Sequence, residues 1–458
     1  MRAWGAVAFL AVTAMAAAGV AAEQIGPAVP AEVPAGTAVS SVWACPHGGG
    51  SGWEGTVALA NPGVVPVEAR ITDLSGGPAG PSETVTVPAG GQVLHPVSAR
   101  HLESATIVEA FGGWLAVGWL VRAAEPDRGV TAEPCAPQTG TTWLTTETST
   151  EDGEEAFLIV ANPFTAGAVF DVVLYSPDNP PLRDPDWSDI VLRGGRSMAL
   201  PISRKVVGET AVAAVLQAKV GRVAVGTLAV SAGGGVRGTL GTPVPGTTWY
   251  LPTKAGAGQA SLITFVPDDR GVSFGADLLS TREPQVVGDL VDAQQGGATT
   301  QVAPVITRGP SMIVVTSTDE GTFVGALRAD GQSGDDAATG GTVTPGPTWV
   351  ILPTVVDEPS FPGIVVANPG TDAVTVTLRR LPTEDGAPAD EVSFQIGSSK
   401  VSSAPEGFLE ADPRAAVMVS ASGPVVAAGV STSAGVRGLS LYAIAVGTAV
   451  PDGVVAAR

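Results

Sequence analysis

The chain has 458 residues, enough for three or four domains of ordinary size and too many for one compact domain. At 44% hydrophobic and 15% charged it is too apolar to stay disordered, and its 59 Gly and 38 Pro, spread along the whole length, punctuate many short segments. A net charge of −20 excludes a nucleic-acid-binding surface, because phosphate binding needs clustered Lys and Arg and no such cluster is present.

In chain order, Arg2 is followed by an uncharged, Ala-rich run from Ala3 to Ala22, with small residues at Val20, Ala21 and Ala22 ahead of Glu23. This reads as a cleaved signal peptide over residues 1–22 and a Pro/Ala linker over 23–39, which places the protein outside the cell, secreted or in the cell envelope. The alternative is an uncleaved signal anchor that tethers the chain to the membrane, since about 20 apolar residues just span a bilayer. Cys45 and Cys135 have no second Cys or His at metal-ligand spacing, and in an exported chain they are expected to pair as a disulfide.

Beyond the leader the sequence repeats itself. Trp43, Trp143, Trp249 and Trp349 recur at intervals of about 100 residues, three of them directly after Thr. Each is followed by an apolar run that ends in a turn signal: Val57 to Asn61-Pro62, Phe157 to Asn162-Pro163 and Ile364 to Asn368-Pro369. The Asn side chain can satisfy turn backbone and Pro fixes φ, so the pair stops a strand and starts a reversal. The third repeat departs from this, with Val266-Pro267. After the turn come alternating apolar positions in constant phase: Val67, Ala69, Ile71; Ala168, Phe170, Val172; Val272, Phe274, Ala276; Val374, Val376, Leu378. Period two with one apolar face predicts a strand half buried against a core. Two further β-rich runs close each repeat, with Gly118, Gly226, Gly325 and Gly429 at similar places, where a bulge or a close backbone approach is expected.

Pro and Gly gather ahead of each tryptophan, which sets the repeats at 40–139, 140–245, 246–345 and 346–451. About seven or eight short β segments per repeat and no helical stretch predict an all-β protein of four tandem immunoglobulin-like β-sandwiches. The short linkers suggest a rod-like array. An eight-bladed β-propeller, with two four-stranded blades per repeat, is the alternative architecture.

The repeating Trp, Asn-Pro turn and alternating strand resemble an uncharacterised family of secreted actinobacterial proteins, known as a domain of unknown function, over about Val42 to Pro451. The resemblance implies a β-rich, exported protein and supplies no catalytic residues.

No constellation of catalytic groups emerges from the residues, so the protein reads as no enzyme, with no cofactor and no metal. The nucleophile elbow is absent, and Ser51 in Gly48–Gly52 reads as part of a flexible Gly loop. The acidic groups Glu151, Asp152, Glu154, Glu155 and Asp184, Asp186, Asp189 read as solvated loops. All three histidines, His47, His95 and His101, lie in the first repeat and read as surface or turn residues. The four repeat-opening tryptophans read as core, whereas Trp53, Trp114, Trp119 and Trp187 are freer. Three of those sit in the first repeat, so Trp53, Trp114, Trp119, His95 and His101 form the candidate ligand-binding set. The expected function is a secreted, non-catalytic structural or interaction protein of the bacterial cell envelope, with an envelope protein or polysaccharide as partner. A cell-wall polysaccharide-binding protein working through the first repeat is the second expectation.

Overall fold

A computed structural model describes residues 38–451 and 454, apart from short stretches at 125–126, 232–233, 254–259, 283–284, 306–308, 331–335, 356–359, 384 and 435–439. The expected signal peptide and all of the expected linker before residue 38 lie outside the described residues. The described chain is all-β, with only two single 3-10 turns besides strands, and none of its helices is long and apolar enough to cross a membrane.

The first repeat sets the pattern. It contains β1 (Ala38–Cys45), β2 (Glu54–Asn61), β3 (Val67–Leu74), β4 (Ser82–Val87), β5 (Gly91–Ser98), β6 (Ala105–Gly112), β7 (Ala116–Ala123) and β8 (Gly129–Pro134). One antiparallel sheet has the order β1-β6-β3-β4 and the other β5-β2-β7-β8. The counterparts in the other three repeats pair in the same order. In the fourth, the counterparts of β6 and β7 run together as one 19-residue strand, Ala416–Ala434, that serves both sheets. A propeller blade runs its strands in consecutive order. The interleaved order here is instead that of paired sheets, so the protein is a series of tandem β-sandwich units and the propeller is set aside.

The alternating positions after each turn are all buried, from Val67 to Leu378, so every counterpart of β3 buries one face as the period-two pattern predicted. The four repeat-opening tryptophans are at most 3% exposed. Three donate their indole N–H to backbone carbonyls: Trp143 to Val223 (2.8 Å), Trp249 to Phe323 (2.7 Å) and Trp349 to Val425 (2.9 Å). Trp43 instead packs edge-on against Trp114, ring centroids 6.0 Å apart.

The Asn-Pro turn has one geometry three times over. Asn61 donates to the carbonyls of Val65 and Val87 and accepts from the Gly63 N–H. Asn162 and Asn368 do the same with their own loops and with Leu192 and Ile396. One amide thereby ties the turn after the second strand to the end of the fourth. In the third repeat the amide has moved across the gap. Val266 fills the Asn position, and Gln294, the counterpart of Val87, donates to the carbonyls of Thr264 (3.2 Å) and Ala298 (2.7 Å) while accepting from the Thr264 hydroxyl (2.6 Å). The third repeat has relocated its polar clip rather than lost it.

The rod-like array is corrected: the repeats close on themselves. The second residue of each fifth strand reaches back to the preceding repeat. Ser197 N–H donates to Ser75 O (3.0 Å), and the Ser197 hydroxyl donates to Glu103 O. Thr299 Oγ1 donates to Ala211 O (3.1 Å), and Val401 N–H to Ser280 O (3.0 Å). The fourth seam joins the last repeat to the first through the same positions, with Gln92 N–H donating to Pro382 O (2.9 Å) and Gln92 Nε2 to Arg414 O (2.5 Å). Two of the recurrent glycines take part as close approaches without a bulge. A Cβ at Gly226 would lie 2.6 Å from Pro46 O, and one at Gly118 would lie 2.5 Å from the Leu352 side chain. Pro46 and Leu352 each stand three residues after their repeat's tryptophan, so the closing seam reuses the contact of the first seam.

Candidate functional site

Cys45 and Cys135 are joined as a disulfide, Cα atoms 4.5 Å apart. It flanks a backbone bridge in which Ala44 and Ala136 exchange hydrogen bonds of 3.0 and 2.8 Å. The same bridge recurs as Leu144 with Thr242 and Tyr250 with Thr342, so covalent closure is added to one of several equivalent places. A disulfide of this kind belongs to an oxidising, extracytoplasmic compartment.

The candidate residues of the first repeat do not converge on one surface. Trp53 and Trp119 are buried in its core, 4% and 2% exposed, and present no face for a sugar to stack on. Trp187, also read as free, is buried under the second repeat's sheets. Trp114 is half-buried against Trp43. His101 is exposed, and His95 on β5 lies 3.5 Å from the Glu83 carboxylate.

His47 is corrected from a surface residue to a fully buried one. Its Nδ1 contacts Gly48 O (2.7 Å) and its Nε2 meets Thr106 Oγ1 (3.1 Å), which donates on to Asp73 (3.0 Å). Desolvation holds its pKa below the usual histidine range, against the raising effect of the Gly48 carbonyl and of Asp73, so the ring is neutral and structural. The Gly loop is not a flexible one either. Gly48 and Gly50 donate to Ser104 O (2.8 Å) and Ala99 O (2.9 Å), and a Cβ at Gly49 would sit 2.1 Å from Ala99 O. Glycine is required there for close approach.

The acidic loops are internally neutralised. Lys205 Nζ lies 2.7 Å from Asp184 and 3.1 Å from Asp186, and Lys219 Nζ lies 2.8 Å from Asp171 and 2.6 Å from Asp189. Asp184 also caps the 3-10 turn at Pro185–Trp187. Glu154 is committed to Arg237, and Glu151 and Asp152 are exposed.

Two features escaped the sequence. The first is a polar hub where three repeats meet. Glu133 on β8 is buried, accepts from the Thr339 hydroxyl and the Gly340 N–H of the third repeat, and faces Glu147 of the second. Burial is the main reason its carboxyl lies well above the usual carboxylate range, with Glu147 adding to the rise, so the hub favours the protonated form of Glu133. Beside it, the wholly buried Arg237 lies 3.6 Å from Glu147 and pairs with Glu154. Thr131 donates to Gly238 O (3.3 Å) and accepts from Gly238 N–H (2.9 Å), and Thr227 bonds both Glu147 and Thr239.

The second is a cavity of about 140 Å³ in the seam between the first and fourth repeats, open on one side. Thr56, Ala58, Leu94, Pro96 and Leu120 form one wall, and Pro353, Val355 and Arg414 the other. Leu94 and Pro96 of β5 line it while His95 between them faces the other side of the strand, so none of the candidate ligand residues lines the cavity.

Comparison of the chain with protein-family models and with curated proteins finds no match.

Proposed function

We propose that this protein is an exported, non-catalytic structural or interaction protein of the bacterial cell envelope, built of four tandem immunoglobulin-like sandwiches. The pairing of β2 with β5 and of β3 with both β4 and β6 supports the immunoglobulin-like reading. The observation that carries the functional reading is the seam used again between the last repeat and the first: Gln92 repeats the bonds of Ser197. A chain that invests its inter-repeat surfaces in closing one rigid body is suited to hold loops at fixed spacing rather than to open and shut around a substrate. The resemblance to secreted repeat proteins and the disulfide support the location.

The test is fractionation of cells that express the full chain, with thiol labelling. The protein is expected in the envelope or medium with no free thiol, and recovery in the cytoplasm with Cys45 and Cys135 reactive would overturn the location. Hydrolase activity abolished by a single Asp or His substitution would overturn the non-catalytic reading.

A further inference from the structure

We infer that the cavity between the first and fourth repeats is a binding site for a small aliphatic carboxylate. The inference rests on the seam itself and is independent of the envelope reading. Thr56 stands five residues before Asn61 and pairs with Pro96 and Leu120; Phe157 stands five before Asn162 and pairs with Pro201 and Leu228. The same correspondence places Ala58 opposite Ile159. At the seam between the first and second repeats, Phe157, Ile159 and Leu228 fill the gap and join the first repeat's core around Trp43 and Cys45. At the closing seam those two places hold Thr56 and Ala58, and the volume that a phenyl ring and a butyl branch would fill is left as the cavity. The place of Ala58 holds Ile159, Ile263 and Val365 in the other repeats, whereas the place of Thr56 holds an aromatic ring only in the second, with Ser261 and Gly363 in the third and fourth; the hollow is therefore set chiefly by Ala58.

Its chemistry selects the ligand class. The walls are apolar at Ala58, Leu94, Leu120 and Val355, with one hydroxyl at Thr56. Arg414 is exposed, yet its backbone is fixed by the bond from Gln92 to its carbonyl. Its guanidinium has no ion-pair or hydrogen-bond partner among the described residues, in a protein of net charge −20. Arg414 lines the hollow, and a planar guanidinium recognises a carboxylate through paired N–H donors. An apolar cavity of about 150 Å³ accepts a benzene-sized guest, so this one takes a ligand of about six heavy atoms.

The probes are butyrate and its neutral analogue n-butanol, titrated into the full chain with ligand-detected NMR. Butyrate is expected to bind the wild type more tightly than butanol. Thr56→Phe with Ala58→Ile, which copies the second repeat, is expected to weaken butyrate at least about tenfold without lowering the melting temperature. Arg414→Gln, an exposed position that leaves the fold intact, is expected to remove the preference for butyrate over butanol while leaving butanol unchanged. Equal butyrate binding by the filled variant, no binding by the wild type, or an unchanged preference in the Arg414 variant would each overturn the assignment.

Discussion

Moving the amide clip of the second repeat to where the third repeat keeps it tests whether the two arrangements are equivalent. Asn162 is 1% exposed and makes three hydrogen bonds: to Ala166 O (2.9 Å), to Leu192 O (3.3 Å) and from Phe164 N–H (3.1 Å). At about 1 kcal/mol net for each bond, Asn162→Val is expected to cost about 3 kcal/mol. Leu192 is the counterpart of Gln294, so Leu192→Gln added to Asn162→Val places an amide opposite the carbonyls of Val160 and Arg196, as Gln294 faces Thr264 and Ala298. That double variant is expected to regain about 2 kcal/mol. The remaining bond needs a hydroxyl where Thr264 supplies one, so adding Val160→Thr regains about 1 kcal/mol more. Amide hydrogen exchange across the second repeat reads the local opening free energy, and the variants form a mutant cycle. A double variant no more stable than Asn162→Val alone would refute the clip exchange.

The hub makes stability fall as pH rises. Glu133 has a folded pKa above its unfolded value, so its contribution is fully present below the ordinary carboxylate range and is lost as pH climbs towards the folded value. Glu133→Gln should remove that slope and leave the protein more stable than wild type at neutral pH, as followed by urea midpoints from pH 5 to 8; an unchanged slope would show that Glu133 does not titrate there. His47 acts in the opposite direction, since its lowered pKa gives a contribution that is lost as pH falls, and His47→Gln should flatten the acid side of the same profile. Leu120→Asp places a charge in the seam where Leu120, Val130 and Ala132 pack on Ala443 and Ala445, and it should raise the radius of gyration in solution scattering. An unchanged profile would mean that the seam tolerates the charge. Reduction of Cys45–Cys135, whose partners are 90 residues apart, should cost about 4.6 kcal/mol on the chain-entropy model and shift protease cleavage to the first repeat.

What the sequence revealed was whatever one residue type repeats. The tryptophans, the Asn-Pro turns and the period-two strands recur in fixed phase because each answers the same local demand in every repeat. Gln294 was legible in principle: aligning the ends of the fourth strands sets Val87, Leu192 and Ile396 against one amide, in the repeat that lacks its Asn. Trp53, Trp119 and Trp187 depart from the repeat pattern and are buried all the same, because an off-pattern aromatic fills a core as readily as a recurrent one. Ring closure left little mark. Gln92, Ser197 and Thr299 all donate from their side chains but from different residue types, Val401 has no side-chain donor, and in three of the four seams a backbone N–H carries a recurrent bond.

Closure also explains why an acidic chain buries charge at its centre. In each unit β8 or its counterpart is an outer strand of its sheet, and an uncovered strand edge invites pairing with other chains. In a rod, Leu120, Val130 and Ala132 would face water; in the closed form they pack on Ala443 and Ala445 of the fourth repeat. Bringing these edges together also brings in polar groups that must find partners. Thr131 meets Gly238, Glu133 meets Thr339 and Gly340, and Arg237 is held between Glu147 and Glu154. Arg237 is already engaged by two glutamates, so a further carboxylate at Glu133 has no cation of its own, and burial raises its pKa well above the usual carboxylate range. The raised pKa of Glu133 is therefore a consequence of closing the ring, and an opened ring should return it towards the ordinary carboxylate range.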